Sequence, residues 1–376
     1  MKYFLQKQTK EIVKEILSTT TSLFCIPLTR EDTRNQDFLE GIFKTNNFEI
    51  SSLSINGTRK ELPVKVDYYD STLFRIRNPK NRSLKILPSG GICIDKKILC
   101  TGFKGQQFFN MLGYLLSYIK RKKFISGTII CNWPQQFLTY GDFVLQLLPE
   151  LCLIKSLIFQ EEWENAKFIF HKPPKFLINY LKILGCDERQ IIDSRDYCFT
   201  VEGESQIYFR EKDKMWFLCA PLELLEISRK YLIDKQDKTG EKILFVERIG
   251  GYRRAIGLDE SIRGQLREIG VSFFDPTNVP IKEQIQTFAN AQIVIGIHGA
   301  GMANILWCRE GTKVVEIFHP KFAAWCYAIL ANQLEMDYYS SGRDPGSMDI
   351  NFREADVEVN WDDLIELIKK LKISIS

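Results

Sequence analysis

One short stretch constrains the fold of this chain more than any other, and it has the sequence IVIGIHGAGMAN over residues 293–304. Its first five residues are apolar and mostly β-branched, which predicts a buried strand of a parallel sheet. A turn at His298-Gly299 follows, and residues 301–308 are predicted to form a helix. Glycines let the backbone approach a ligand, and the first turn of a helix offers unpaired N–H groups and a positive dipole end. The stretch therefore predicts an anion site, most often one for phosphate, at the carboxyl end of a strand.

A glycine turn between a strand and a helix also occurs for packing alone, so its neighbours decide between the two interpretations. The apolar strand predicted over 242–247 leads into three arginines around a glycine pair, namely Arg248, Arg253 and Arg254. The strand predicted over 313–318 carries Glu316 near its end. Guanidinium groups suit phosphate oxygens, and a carboxylate can hold ribose hydroxyls. These neighbours favour a nucleotide, with a solvated arginine face as the alternative.

Length and composition set the class of protein. The 376 residues suffice for two domains with separate cores. Hydrophobic residues make up 45% and charged residues 26%, which is typical of globular proteins. The net charge of +4 is too small to indicate a nucleic-acid partner, and it is compatible with peripheral association with an acidic membrane surface. Ten cysteines without regular spacing indicate buried thiols in a reducing compartment.

Targeting signals are sparse. The amino terminus lacks the apolar core of a signal peptide. No run of about 18 apolar residues occurs, so we expect no membrane-spanning helix. We therefore expect a cytoplasmic protein, in which any membrane association is peripheral.

Strands and helices alternate along both halves of the chain, which predicts an α/β protein. The elements predicted in the first half include a helix over 106–120, a strand over 127–133, a helix from Tyr140 that ends around Pro149, and strands over 197–201 and 206–210. Those predicted in the second half are strands 242–247, 271–274, 293–297 and 313–318, and helices 259–269, 280–290, 301–308, 322–334 and 361–371. Short linkers in the second half indicate a doubly wound parallel sheet. We place two domains at 1–220 and 221–376, with an exposed linker over 234–240 and the last helix able to pack back on the first domain.

Asp142 lies near the start of a helix that follows a predicted strand. An aspartate in a first helical turn is most often a cap. The functional alternative is a carboxylate that faces a cleft and acts as a general base.

A set of motifs in fixed order resembles one known family. The set comprises Arg248, Arg253-Arg254, Asp275-Pro276, Glu283-Gln284-Ile285, Phe288-Ala289, Ala291, the HGAGMAN stretch at 298–304, Gly311 and Val315-Glu316-Ile317. It resembles glycosyltransferase family 61, which includes plant xylosyl- and arabinosyltransferases, eukaryotic O-linked N-acetylglucosaminyltransferases and bacterial capsule-biosynthesis proteins. The resemblance covers roughly residues 125–340. Neither the HGAG-x-x-N core nor the upstream EQ-x-x-x-F-x-x-A helix is specific to this family by itself. The two motifs together are fairly specific to it.

The resemblance implies a GT-B-like fold, in which two Rossmann-like domains face a cleft. The carboxyl-terminal domain would bind a nucleotide sugar, the amino-terminal domain would bind a glycan or glycolipid acceptor, and transfer would invert the anomeric carbon. The family usually has a histidine ahead of a helix that ends in Leu-Pro-Arg. Here Asp142 takes the place of that histidine and Glu150 that of the arginine. Asp142 is therefore our candidate base.

The donor-site residues follow from the same chemistry. An inverting transfer needs a base for the acceptor hydroxyl and positive charge for the departing diphosphate. We expect the donor, a UDP-sugar, to be bound by Arg248, Arg253, Arg254, His298, Gly299, Ala300, Gly301, Asn304 and Glu316. His298 could instead be a hydrogen-bonded core histidine, and Asn304 could simply anchor the turn.

The sequence contains no Asp-x-Asp, and its three histidines (His171, His298 and His319) are far apart. Metal-dependent transferases hold a cation on the diphosphate with paired carboxylates. We therefore expect no obligatory metal and no cofactor other than the donor substrate.

Three other functions are alternatives to a glycosyltransferase. A dehydrogenase is disfavoured because no G-x-G-x-x-G follows a strand. A serine hydrolase is disfavoured because G-x-S-x-G is missing from the sequence. A transferase-like protein that binds a glycan or nucleotide without catalysis stays open, since the family histidine is replaced. We expect a glycosyltransferase of surface polysaccharide, lipopolysaccharide or capsule biosynthesis that moves a hexosyl, N-acetylhexosaminyl or pentosyl group.

Overall fold

A computed structural model of the chain describes residues 25–45, 48–68, 72–77, 82–99, 104–131, 139–210, 219–233, 243–247, 256–319, 321–341, 349 and 355–374. The chain divides into two compact units. The first comprises 1–47, 68–138 and 154–214, and the second comprises 48–67, 139–153 and 215–376. The predicted mixed α/β class is confirmed. The division at residue 220 into acceptor and donor domains stays a prediction, because compact units and functional domains need not coincide.

The strands are, in chain order, β1 (Ile26–Pro27), β2 (Leu39–Lys44), β3 (Phe48–Ile55), β4 (Thr58–Tyr68), β5 (Thr72–Arg77), β6 (Leu84–Ile86), β7 (Ile92–Ile94), β8 (Lys97–Ile98), β9 (Arg121–Ile125), β10 (Thr128–Ile130), β11 (Lys167–Phe170), β12 (Ile191–Asp193), β13 (Tyr197–Val201), β14 (Gln206–Arg210), β15 (Ile243–Val246), β16 (Val271–Phe274), β17 (Ile293–Ile297), β18 (Lys313–Ile317) and β19 (Asp337–Ser341).

The helices are α1 (Arg30–Arg34), α2 (Lys104–Leu116), α3 (Tyr140–Asp142), α4 (Leu148–Leu157), α5 (Gln160–Asn165), α6 (Lys175–Ile183), α7 (Leu222–Leu232), α8 (Glu260–Glu268), α9 (Ile281–Asn290), α10 (Cys326–Gln333) and α11 (Trp361–Ile373). A π-helical segment, Phe143–Leu147, joins α3 to α4, and 3-10 helices cover Glu188–Gln190, Pro276–Asn278 and Ala300–Trp307.

The first unit contains two six-stranded mixed sheets, ordered β1-β8-β7-β6-β13-β9 and β12-β11-β10-β14-β5-β2. Apolar side chains from both sheets share one core, for example Ile86 and Phe199 from the first sheet and Ile129 and Phe209 from the second. Burial of this apolar surface on the inner faces is the main force that holds the unit together.

The second unit contains a five-stranded parallel sheet with the order β16-β15-β17-β18-β19. Strands β15, β17 and β18 are nearly continuous apolar runs, as expected of a parallel sheet covered on both faces. Helix α11 packs on one face through Leu364, Ile365, Ile368 and Leu371. Asn360 caps this helix by accepting a hydrogen bond from the Asp363 N–H.

The predicted strands 271–274 and 293–297 are confirmed to the residue. Helix α10 begins four residues later than predicted, at Cys326, because His319 and Phe322 form an isolated β-bridge before it. Strand β19, which completes the sheet, was not predicted. The predicted linker at 234–240 lies outside the described residues.

The helix predicted to end around Pro149 continues to Leu157, so that prediction is wrong. Proline lacks an N–H and normally leaves the carbonyl four residues before it without a partner. Here that carbonyl belongs to Leu145, and it accepts a hydrogen bond of 2.7 Å from the Ala220 N–H. The π-helical segment also lets the Leu148 N–H bond to the Phe143 carbonyl, five residues back. Proline is therefore accommodated inside the helix.

Candidate functional site

The order of the parallel sheet indicates where a ligand can bind. The chain runs from β15 through α8 to β16 on one side, and then through α9 to β17 on the other side of β15, so the topology reverses between β15 and β17. Open α/β sheets bind ligands at such a switch point, beyond the carboxyl ends of the strands. Glu247 and His298 directly follow these two strands. The predicted turn therefore lies at the position where the fold favours a ligand.

The turn between β17 and the following helix is held by the backbone and by one tyrosine. The His298 N–H donates to the Ile317 carbonyl at 2.7 Å, and the Tyr327 hydroxyl donates to the Gly299 carbonyl at 2.6 Å. The helix predicted over 301–308 is observed as a 3-10 helix over Ala300–Trp307. Its first internal bond joins the Met302 N–H to the Gly299 carbonyl. The N–H groups of Ala300 and Gly301 come before that bond and suit an anion.

Two glycines of this region are required by packing. A Cβ on Gly296 would lie 2.5 Å from Met302 Sδ, and a Cβ on Gly301 would lie 3.3 Å from Val246 Cγ1. The 3-10 helix therefore sits directly on β15 and β17. The sequence interpretation assigned these glycines to ligand approach, whereas at Gly296 and Gly301 the close neighbours are protein atoms.

His298 and Glu316 form a buried pair. Glu316 Oε1 lies 2.5 Å from His298 Nδ1, and the Tyr338 hydroxyl donates to Glu316 Oε2 at 2.5 Å. The Glu316 side chain is fully buried, and that of His298 is 12% exposed. The rings of Phe322 and Tyr327 flank the imidazole, with centroids 5.8 and 5.4 Å away. A carboxylate at Nδ1 fixes the proton on that nitrogen and thereby fixes the role of Nε2.

Asn304 belongs to a buried polar network that starts from the helix of Asp142. The Tyr140 hydroxyl donates to Asn304 Oδ1 at 2.6 Å, and Asn304 Nδ2 donates to the Gly301 carbonyl at 3.2 Å. Gln284 joins the network because its Oε1 accepts from Asn304 Nδ2 at 3.4 Å, while its Nε2 donates to the carbonyls of Pro276 and Val279. The turn-anchoring role of Asn304 is therefore observed directly. A donor contact by this fully buried side chain stays a prediction.

Asp142 lies beside the turn in the same compact unit. A Cβ on its neighbour Gly141 would be 3.7 Å from Ala300 Cα and 3.7 Å from the Tyr327 hydroxyl, so the first turn of α3 packs on the 3-10 helix. The Thr139 hydroxyl donates to Asp142 Oδ2 at 2.5 Å. This arrangement orients the carboxylate at a helix start, where the dipole favours negative charge. The N-cap residue of α3 is Thr139, so Asp142 lies in the first turn of the helix and is not its cap. The role of Asp142 as a base stays a prediction.

Asp142 and Glu316 also act on one thiol. Burial raises the pKa of the Cys326 thiol well above its usual value. The negative charge of Glu316 raises this pKa further, and that of Asp142 adds a smaller contribution. The carboxylates of Glu316 and Asp142 therefore both raise the pKa of the same cysteine. Their side chains differ in environment, because Glu316 is buried and Asp142 is partly exposed.

Several residues of this region were given no role from the sequence. Glu247, at the carboxyl end of β15, has a side chain 11% exposed and forms a 2.6 Å ion pair with Arg263. At the far end of the 3-10 helix, the Arg229 guanidinium donates to the carbonyls of Leu306 and Cys308. Burial lowers the pKa of Arg229, although a cation at the carbonyl end of a helix is favourable. Sequence spacing gave no signal for Arg229, since α7 is distant in sequence from the carbonyls that it caps.

The three predicted phosphate arginines, Arg248, Arg253 and Arg254, lie outside the described residues. Within the described ranges, no group of three or more histidine, cysteine, aspartate or glutamate side chains could hold a metal ion. Independence from metal stays a prediction. The helices that the structure describes include none that is long and apolar enough to cross a bilayer.

A parallel sheet with an amide-rich turn at its switch point is an arrangement in which α/β units commonly bind phosphorylated ligands. The family model described as Glycosyltransferase 61 matches residues 140–315, and the predicted resemblance to this family is confirmed. The matched segment begins at Tyr140 and includes Asp142 and the HGAGMAN stretch.

A relative with a known activity is also similar to the chain. It is a beta-1,2-xylosyltransferase from Oryza sativa subsp. japonica, 25% identical over 218 residues. The similarity covers 50% of this chain and 40% of the relative. The chain thus matches well under half of that protein's length.

Proposed function

We propose that the chain is a glycosyltransferase that moves a sugar from a nucleotide-sugar donor to a glycan or glycolipid acceptor. One observation carries the proposal most directly: the start of the helix with Asp142 packs on the turn at 298–301, inside the segment that matches the family. A candidate base and a candidate diphosphate site are thereby adjacent, as a transfer reaction requires.

The donor diphosphate would bind at the turn. The N–H groups of Ala300 and Gly301 offer hydrogen bonds, and His298 offers Nε2 while Glu316 holds Nδ1. Arg248, Arg253 and Arg254 would add positive charge for the departing nucleoside diphosphate, in place of a cation. Glu316 as a holder of ribose hydroxyls belongs to the proposal too, although its burial means that a ligand would meet His298 first.

Asp142 would act as the base. Its carboxylate takes the proton of the acceptor hydroxyl, whose oxygen forms a bond to the anomeric carbon as the bond from that carbon to the diphosphate oxygen breaks. Attack from the face opposite the leaving group inverts the anomeric configuration. A GT-B arrangement of two nucleotide-fold domains is the architecture that we propose for this reaction.

The finer assignments are also proposals. The similarity to a beta-1,2-xylosyltransferase makes UDP-xylose the first donor to test, followed by hexosyl and N-acetylhexosaminyl donors. We propose a role in surface polysaccharide, lipopolysaccharide or capsule assembly on the cytoplasmic side of a membrane.

Donor titration tests the binding step. Calorimetric titration with UDP and with a panel of UDP-sugars should give saturable binding, unchanged after EDTA treatment. His298→Ala should weaken that binding, because it removes the group that Glu316 orients. A chain that binds no nucleoside diphosphate or nucleotide sugar would contradict the donor site.

Turnover tests the base. Asp142→Asn should abolish hydrolysis and transfer while donor affinity stays nearly unchanged, and Thr139→Val serves as a matched control that removes only the hydroxyl bonded to Asp142. Retained turnover in Asp142→Asn would exclude it as the base. Donor binding by the unaltered chain without hydrolysis or transfer would instead favour an inactive, transferase-like binding protein.

A further inference from the structure

A surface of the first unit combines exposed apolar side chains with consecutive cations. Ile119 is 79% exposed, Phe124 71% and Tyr118 64%. Four cations lie between Ile119 and Phe124, where the chain connects α2 to β9 and begins that strand. They are Lys120, Arg121, Lys122 and Lys123. We call residues 118–124 the basic–apolar strip.

Few of these cations are neutralised. Lys120 lies 3.5 Å from Asp196, and the ammonium group of Lys123 lies 3.8 Å from the centroid of the Tyr197 ring. No carboxylate of the described residues forms an ion pair with Arg121, Lys122 or Lys123. The strip therefore carries a local positive charge that the net charge of +4 for the whole chain does not convey.

One structural explanation accounts for part of the strip. Among the strands that the structure describes, β9 lies at the edge of its sheet and pairs with β13 alone. Charged residues on an edge strand prevent pairing with other chains. That explanation does not account for Ile119 and Phe124, because exposed apolar side chains on an edge favour association.

The chemistry of the strip fits the interface of an anionic bilayer. Aromatic and aliphatic side chains insert at the boundary between headgroups and acyl chains, while lysine and arginine reach the headgroup phosphates. Protein interfaces are depleted in lysine, whereas the strip contains Lys120, Lys122 and Lys123. A lipid surface is therefore favoured over a protein partner.

We propose that the strip docks the chain onto an anionic membrane surface, with Ile119 and Phe124 inserted among the lipids and residues 120–123 on the headgroups. This surface is separate from the turn at 298–301, and the proposal does not depend on glycosyl transfer. It identifies the lipid class as anionic phospholipid.

Co-sedimentation with vesicles tests the electrostatic part. The intact chain should bind vesicles of phosphatidylcholine with phosphatidylglycerol, and should bind pure phosphatidylcholine only weakly. Since each basic residue near an anionic surface contributes about fivefold to binding, the variant Arg121→Gln/Lys122→Gln/Lys123→Gln should lose on the order of a hundredfold. The control Lys172→Gln/Lys175→Gln/Lys182→Gln has the same change in net charge on the same unit and should bind like the unaltered chain.

Two further variants test the apolar part. Ile119→Ser/Phe124→Ser should weaken binding at high salt, where electrostatic attraction is screened, and Phe159→Ser, at an 84% exposed phenylalanine, is its control. Phe124→Trp should give a blue-shifted fluorescence spectrum with anionic vesicles. Equal vesicle binding by the strip triple and its control, or an unshifted spectrum, would overturn the proposal. Nucleotide binding by all these variants should be unchanged, so failure here is distinguishable from failure of the proposed function.

Discussion

Glu316 Oε1 lies 2.5 Å from His298 Nδ1, and this pair joins two neighbouring strands of the parallel sheet at their carboxyl ends. Glu316 lies within β18, opposite Gly296 of β17, and His298 is the first residue after β17. The second carboxylate oxygen accepts from the Tyr338 hydroxyl of β19. Three adjacent strands therefore fix one imidazole ring, and a ligand at the turn would meet a histidine whose tautomer is already set.

The Glu316→Gln variant tests this arrangement. A glutamine has one acceptor oxygen, so it cannot accept from both His298 and Tyr338, and one buried polar group loses its partner. We expect a loss of about 1–3 kcal/mol in the free energy of unfolding. Urea denaturation measures it. Tyr338→Phe removes only the bond to Oε2 and should cost about 1.5–3 kcal/mol, because the acceptor is a charged carboxylate. Equal stability of the glutamine variant and the unaltered chain would mean that the His298–Glu316 pair does not contribute to the free energy of unfolding.

The Tyr140→Phe variant tests the network between α3 and the 3-10 helix. The substitution removes the hydroxyl that donates to the fully buried Asn304 Oδ1. We expect a loss of about 1–3 kcal/mol, because that amide oxygen loses its 2.6 Å bond. The measurement is urea denaturation combined with hydrogen exchange at Met302 and Ala303. Tyr197→Phe is the control, because no hydrogen bond to the Tyr197 hydroxyl is found among the described residues. Unchanged exchange at the 3-10 helix would show that Tyr140 does not hold it.

The sequence predicted the parallel sheet well because its strands are short apolar runs with turns between them. Strands 271–274 and 293–297 were located to the residue. Strand β19 was missed, since DYYSS is polar and aromatic and lacks the apolar run of its neighbours. Helix α4 was cut short at Pro149, because the sequence gives no sign that the Ala220 N–H satisfies the Leu145 carbonyl. Both misses concern groups that find partners only in the tertiary structure.

The candidate site was predicted only in part, because the contacts between its residues also form only in the tertiary structure. The sequence located His298 and Glu316 separately, and the register of β17 and β18 brings them together. Asp142 was placed near a helix start, which is observed, but its position beside Ala300 depends on a contact between residues distant in sequence. Arg229 and Tyr338 could not be found, because no local pattern distinguishes them from surface residues.

The Arg229→Met variant tests the cap of the 3-10 helix. The guanidinium donates charged hydrogen bonds to the carbonyls of Leu306 and Cys308, and methionine preserves much of the side-chain volume without donating. Hydrogen bonds to charged groups contribute about 1.5–3 kcal/mol, so we expect a loss of that size, measured by urea denaturation. Arg229→Lys should recover part of it. If methionine were neutral, burial of the charge would cost as much as its bonds contribute.

The Gly296→Ala variant tests how tightly the 3-10 helix packs on the sheet. The added methyl group would lie 2.5 Å from Met302 Sδ and 3.2 Å from Val246 Cβ, so atoms must shift. We expect destabilisation of about 1–3 kcal/mol, as for other overpacked cores. Gly264→Ala, in α8, is the control, since nothing lies within 4 Å of its added methyl group. The control should be neutral or stabilising, and equal effects at both glycines would contradict close packing at Gly296.

Cys308 links the stability of the second unit to alkaline pH. Its thiol is fully buried, and burial raises its pKa from 9.0 to about 12, with a partial lowering by the Arg229 charge. The folded state therefore keeps a proton that the unfolded state releases above its ordinary thiol pKa. The stabilisation is complete below pH 9.0 and is lost as the pH rises towards about 12.

The expected decrease is about 1.4 kcal/mol of unfolding free energy per pH unit within that window. Urea denaturation at a series of pH values measures it, and Cys308→Ala isolates this thiol because the other titrating groups are unchanged. The alanine variant should be less stable at neutral pH, since the cavity costs packing, yet its stability should fall less steeply above pH 9.0. Parallel curves for the two proteins would mean that Cys308 titrates alike in the folded and unfolded chain.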